Sequence, residues 1–420
     1  MKFIKYLWLT VASIVSIVIL WINLQLYTGS NSIGNQKGDV IKQLNFLENE
    51  LKTNDLGTRM QNLFPEGLMF VNALYGLSWC ELALGDSTDE IVKQRALAEA
   101  LYSFNEINSS LAQATFHSGL EPEFGIFYCG WRNYLLSKIL LVDTSFENAG
   151  LFIHTFKAQS QEISLAMERS STPYLASYGN QFWPGDQFVA MASLSNYNRV
   201  FEPRYKSALD AWMEDVKQWL DPFTDLVPHK VDGLTKGAIE EGARGSSIGL
   251  ILRMLGDIDP KFGKDQFEFM KRSFLTTTFG LPSVREYPIG ITGNGDIDSG
   301  PVIFDVGFSA TIMMIGTLSM YDHRTEADEL YKTIHAFGAC RSSQKRKSYI
   351  LGALPMADAF IAWGRATDYA TSKKNGLIPS KFWALWFQLR SLLIFALLWL
   401  PFFGRKMFNK IRNSYFSKPE

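Results

Sequence analysis

Apolar residues through the middle of the chain recur at three- and four-residue spacing, the period of a helix with one buried face. The pattern holds over Val40–Lys52, Gly67–Leu84, Glu90–Ala112, Gly125–Leu141, Glu147–Met167 and Gln187–Leu194. It continues over Tyr205–Leu220, Ala238–Leu255, Lys261–Leu275, Val302–Met320, Glu326–Ala336 and Pro355–Ala366. Twelve helices are predicted, and no alternating stretch is long enough for a sheet. Short polar connections favour antiparallel hairpins. Six hairpins close economically into a ring, an (α/α)6 toroid; an open superhelix is the competing arrangement, but no fixed-period repeat supports it.

The two ends follow a different pattern. Tyr6 to Tyr27 runs without a charge, after Lys2 and Lys5. A run of that length spans a hydrocarbon core of roughly 30 Å. It is too long for the apolar region of an ordinary cleaved signal, so residues 1–27 read as an uncleaved signal anchor. Residues 28–38 read as a polar linker. Phe382 to Gly404 contains one charge, Arg390, near an end where it can snorkel; Arg405, Lys406, Lys410 and Arg412 follow as a stop-transfer signal. Residues 382–404 are therefore expected to form a second span, with an interfacial amphipathic helix as the alternative, and 405–420 a basic cytoplasmic tail. Residues 39–376 form the extracytoplasmic domain between them. Both termini are then expected on the cytoplasmic side of the inner membrane, with the main domain on the periplasmic side.

Charge supports that layout. The 420 residues carry 41 basic and 42 acidic side chains, yet the ends are basic and the middle acidic. A basic nucleic-acid binder is excluded by the balance. With 47% hydrophobic residues, disorder is excluded too. Cys80, Cys129 and Cys340 are few and widely spaced, which argues against a metal site built on sulfur and for buried thiols, with one disulfide outside the cytoplasm as the alternative.

Candidate chemistry concentrates in three irregular segments. Gly280 to Gly300 is a long Gly/Pro-rich loop carrying Glu286, Asp296 and Asp298, with Asp305 beyond. Loops of that length in compact domains are usually functional. Two of its carboxylates across a glycosidic bond can act as acid and base or nucleophile. Asp298 and Ser299 are also placed to cap a helix beginning near Pro301. Asn294, Asp296, Asp298 and Asp305 imitate a calcium loop, but glycine and the last ligand are wrong for it, so no metal is expected. The second segment runs from Tyr174 to Asp186 and ends in Trp183-Pro184-Gly185-Asp186. Asp186 can cap the following helix or join the chemistry, and Tyr178 and Trp183 offer faces for a sugar ring or an apolar ligand. The third holds His229, Glu240, Glu241 and Arg244. Arg244 can clamp an anion or pair locally with Glu240. The fingerprints GxGxxG, GxSxG and HExxH are absent, so no cofactor is expected.

The segments FPEGLMF (64–70), YCGWRNYLLSK (128–138), WPGDQFVAMASL (183–194), ARGSS (243–247), REYPIG (285–290), GDIDSGPVIFDVGFSAT (295–311) and MADAFIAW (356–363) resemble a bacterial membrane-anchored family of unassigned function. That family is similar to the six-hairpin toroid superfamily, which holds glycoside hydrolases, sugar epimerases and terpenoid-processing enzymes, including the linalool dehydratase-isomerase group. The resemblance implies an active cleft at one end of the ring, where helix-entry loops bring Asp186, Glu286 and Asp298 together.

The leading expectation is a membrane-anchored, glycoside hydrolase-like enzyme acting on an envelope or imported glycan. Asp298 or Asp296 serves as base or nucleophile and Glu286 as acid, with Asp186 beside them. Trp183, Tyr178 and Tyr287 are stacking platforms, and Arg244 and His229 contact the substrate. One alternative is an isoprenoid- or lipid-processing enzyme at the membrane surface, signalled by an apolar pocket. The other is a non-catalytic envelope assembly protein. The partners expected are a glycan or lipid-linked substrate, membrane lipids and envelope proteins, without nucleic acid.

Overall fold

The structure is a computed structural model that describes residues 2–28, 33–233, 238–296, 299–376 and 382–416. Among these residues, twelve helices of eleven residues or more build the ring of the domain. They are α1 (Ile33–Thr53), α2 (Gly67–Gly85), α3 (Glu90–Ile107), α4 (Gly125–Val142), α5 (Ala149–Arg169) and α6 (Pro184–Val200), then α7 (Lys206–Val216), α8 (Gly245–Ile258), α9 (Pro260–Phe274), α10 (Phe308–Met320), α11 (Arg324–Phe337) and α12 (Pro355–Asn375).

The even-numbered helices form an inner ring. Each packs on the next, α2 on α4, α4 on α6, α6 on α8, α8 on α10 and α10 on α12, and α12 returns to α2 to close it. The odd-numbered helices lie outside, each against the inner helix that precedes it in the chain, and α1 against α12. This is an (α/α)6 toroid. Residue character explains the division. Inner helices such as α2 and α4 are buried nearly all round and are apolar or small on every face. Outer helices such as α5 and α9 bury one stripe and leave charge on the other. Closure needs close backbone approach: a Cβ on Gly85, at the end of α2, would lie 2.7 Å from the Ala370 Cα of α12.

Several boundaries differ from the sequence reading. Helix α1 begins at Ile33, inside the expected polar linker. The stretch 238–241 is a strand paired with Lys230–Asp232, so α8 begins only at Gly245. Residues 302–307 form a tight hairpin, and α10 starts at Phe308 after its N-cap Gly307, not near Pro301; Ser299 reaches its first turn only through the backbone, its carbonyl accepting the Ser309 N–H at 3.4 Å. Among the described residues, four two-stranded antiparallel pairs punctuate the ring. Each is a short hairpin at a helix entry, too brief to show an alternating pattern.

Two further helices flank the ring, Lys2–Gln25 and Leu385–Phe416. Within them Phe3–Gln25 and Leu385–Phe402 are long and apolar enough to cross a membrane, and almost none of their surface is buried. Gly67–Gly85 meets the same length and composition test but is 89% buried as inner helix α2. The two end helices pair antiparallel. Trp8 Nε1 donates to the Leu398 carbonyl at 2.9 Å, Trp399 Nε1 to Ser16 Oγ at 3.0 Å, and Asn23 Nδ2 to Ser391 Oγ at 3.1 Å. They dock on the domain through a buried cluster of Leu26, Ala384, Leu281 and Ala336.

Candidate functional site

The inner helices all begin at one end of the ring, and a cavity of about 640 Å³ opens there. It is lined by residues at or before the first turns of all six: Glu66 and Phe70, Phe127, Trp183 and Asp186, Arg244 and Ser246, Phe308, and Met356. Helix N-termini carry unpaired N–H groups and a partial positive charge, so this end favours carboxylates and anionic ligands.

One wall is aromatic. Phe360 and Phe70 meet at 5.3 Å between ring centres, Phe70 stacks on Phe127 at 5.3 Å, and Phe127 meets Tyr178 edge-on at 5.7 Å. Tyr178 then meets Trp183 at 4.9 Å, giving a continuous path of five rings along the lining. The chain places Trp183 there by a local device. Ser177 Oγ accepts the Trp183 N–H at 3.2 Å, and Pro184 starts α6 immediately after it, so the ring stays in the mouth while the helix departs. Asp186, one turn in, lines the cavity beside it. Leu63, Leu250, Ile312, Met313 and Leu354 complete a lining that is mainly apolar.

The opposite wall is polar and is organised by Arg244, which is 4% exposed. Its Nε donates to Glu286 Oε1 at 2.9 Å, Nη1 to Asp296 Oδ2 at 2.6 Å, and Nη2 to Ser299 Oγ at 2.9 Å. Its plane also lies 5.2 Å over the Tyr287 ring. One guanidinium thus ties the long loop to the start of α8. Glu240, the partner expected from i,i+4 spacing, turns instead to Lys230 at 2.8 Å. The strand at 238–241 is the reason, because an extended backbone separates residues that helical spacing would bring together.

Glu286 is fully buried. Besides Arg244, it accepts from the Ser246 hydroxyl at 2.7 Å and the Ser246 N–H at 3.2 Å. Burial pushes its carboxyl up to about 7 against the pull of Arg244 and Ser246. It does not line the cavity; Arg244 and Ser246 stand between. Asp296 lines the cavity and is held down to about 2: burial works upward, but the hydrogen bonds from Arg244 and the Ser299 N–H outweigh it. Asp298 lies outside the described residues. Tyr287 packs under Arg244 without lining the cavity, so of the three proposed platforms only Trp183 and Tyr178 face it.

His229 lines the cavity with its ring fixed at both nitrogens. Arg244 Nη1, which only donates, faces Nε2 at 3.3 Å, so Nε2 accepts and Nδ1 carries the proton toward Ser247 Oγ. Burial and the adjacent Arg244 push the imidazole down to about 3. A neutral ring donating to Ser247 does not activate that hydroxyl as a nucleophile.

Glu66 is the cavity carboxylate the sequence reading did not single out. It is the N-cap residue of α2. The available signal was FPEG immediately before an apolar helix, the same arrangement as WPGD before α6. Among the described residues no cluster of three or more His, Cys, Asp or Glu side chains could hold a metal ion. Cys80, Cys129 and Cys340 are free thiols.

No protein-family model matches the chain, and no curated protein matches it. Among solved structures it is similar to a GH76 alpha-mannanase of Bacteroides thetaiotaomicron, with 13% identity and a TM-score of 0.47, over 73% of this chain and 87% of that one. At that identity the likeness concerns the fold alone.

Proposed function

We propose that the chain is a membrane-anchored, glycoside hydrolase-like enzyme acting on the sugar of a lipid-linked saccharide outside the cytoplasmic membrane. The observation that carries this reading is the two-sided cavity. Aromatic and aliphatic side chains form most of its lining, while Glu66, Asp186 and Asp296 stand with neutral His229 in the remainder. A sugar fits the polar wall with one face on Trp183 or Tyr178, and an apolar aglycone fits the rest.

In this reading Asp186 and Glu66 act as the acid–base pair on the glycosidic bond. Both sit at the starts of inner helices and line the cavity; the one facing the leaving oxygen gives it a proton and the other takes one from the attacking water. Glu286 holds Arg244, and through it Asp296 and the loop, in place. The end helices support membrane anchorage: both are long and apolar enough to span, and their flanking basic residues favour an orientation with both termini inside.

The test is saccharide release from lipid-linked oligosaccharides by the full chain in nanodiscs. Asp186→Asn and Glu66→Gln should each lower the rate by about 10²–10⁴-fold while the chain stays folded, the loss typical of a missing proton donor or acceptor. Unchanged release in both variants would remove the assignment. The mainly apolar lining favours a second reading, chemistry on the isoprenoid or lipid itself. Conversion of the lipid without sugar release would select it.

A further inference from the structure

Four bulky apolar residues occupy left-handed backbone positions and point outward. They are Phe279 (φ 54°), Phe304 (φ 52°), Leu351 (φ 55°) and Phe382 (φ 62°). Their exposures run from 50% for Phe279 to 80% for Phe382. A left-handed position disfavours any side chain with a Cβ and commonly carries Gly or Asn. Exposure to water gives a phenylalanine no compensation. Neither turn geometry nor hydration accounts for these residues at these tips.

Their position accounts for them. Phe279 and Phe304 cap two neighbouring hairpins, 275–284 and 302–307, and their rings meet edge-on at 5.1 Å. Gly280, next to Phe279, lies directly against the C-terminal helix: a Cβ there would stand 2.6 Å from that of Trp386. Leu351 N–H donates to the Ala339 carbonyl at 3.2 Å, two residues beyond Phe337, whose ring meets Phe387. All four therefore gather where the end helices enter the domain. Tyr27, Trp383 and Trp386 lie at the same junction: Tyr27 Oη accepts from Gln388 Nε2, Trp383 packs on the Leu26 and Leu281 cluster, and Trp386 lies against Gly280, the place of an interfacial aromatic belt. The 302–307 hairpin also follows directly on Gly300 and Pro301, which line the cavity.

We infer that Phe279, Phe304, Leu351 and Phe382, together with exposed Ile303, dip into the headgroup boundary of the bilayer that the end helices cross, and seat the cavity mouth on the lipid surface. The partner is the phospholipid bilayer itself. This inference rests on reading the end helices as spans, and it holds whichever chemistry the cavity performs.

Spin labels measure it. The full chain with Cys340→Ser, its other thiols buried, is reconstituted into vesicles of phosphatidylethanolamine and phosphatidylglycerol. Nitroxides are placed by Phe279→Cys and Phe304→Cys, with Ile91→Cys at the start of α3 as the aqueous reference and Leu393→Cys on the C-terminal helix as the lipid reference. Labels at 279 and 304 should collide several-fold more with oxygen, and several-fold less with a nickel chelate, than the label at 91. If either variant fails to fold, Ile303→Cys reports on the same tip. Aqueous values at 279, 304 and 303 with a lipid value at 393 would overturn the docking while leaving the spans intact. An aqueous value at 393 would overturn the spans, and the docking with them.

Discussion

Arg244 shows how much a single side chain can organise. It reaches Glu286 and Asp296, and so joins residues 42 and 52 positions away to the start of α8. Asp358 is a second case. It is fully buried in the first turn of α12, where its Oδ1 accepts from Gln43 Nε2 at 3.0 Å and the Tyr349 N–H at 2.9 Å. Burial pushes its carboxyl up to about 7, against hydrogen bonds from Gln43 and Tyr349 and the charge of Lys347. The ordinary value is 3.8. Between the two values the folded chain keeps a proton that the unfolded chain has released, so this group lowers stability as pH rises through that window. Asp358→Asn removes the titration. The variant should therefore gain stability relative to the wild type between about pH 4 and about pH 7.5, by up to about 1.4 kcal/mol per pH unit. Denaturant unfolding at both pH values checks this, and a constant difference would show a carboxylate ionised throughout.

At the scale of elements, helix positions were legible and the short strand pairs were not. The three- and four-residue apolar spacing located all twelve ring helices. It missed the four hairpins because pairs of two to four residues leave no period to read. The failure near 302–307 has a definite cause: Val302, Ile303 and Phe304 are apolar and run into the α10 pattern, so the strand pair reads as the helix start. Hydropathy misleads in the same way at α2, which would pass for a membrane span. Its apolar faces are instead covered by α12, α4, α3 and α1. Contact between the first and last inner helices is the step that turns a row of hairpins into a ring. Gly85→Val puts a branched side chain against the Ala370 backbone there and should cost about 1–3 kcal/mol, as overpacking does. Thermal melts should show the loss; an unchanged melting temperature would mean the helix ends part freely at that point.

For the whole molecule, the proposed orientation rests on the basic flanks of the two end helices, and fusion reporters test it. A reporter after Glu420 should read cytoplasmic, and one inserted near Gly38 should read external. An external signal after Glu420 would remove the second span and separate the two termini.

The linear sequence contained helix number, the two apolar ends with their basic flanks, and the segments that supply most of the cavity's polar lining, because periodicity and composition are local properties. It also contained Asp186, Tyr178 and Trp183, since a Pro-Gly turn before an apolar helix signals a helix entry wherever it occurs. Only the tertiary structure decided which carboxylates face the cavity. Glu286 and Asp296 share one loop, yet Arg244 stands between the first and the cavity while the second lines it, and Glu66 joins from the far end of the chain. Those outcomes depend on six helices meeting around one axis, and spacing along a chain carries no information about the distance across a ring.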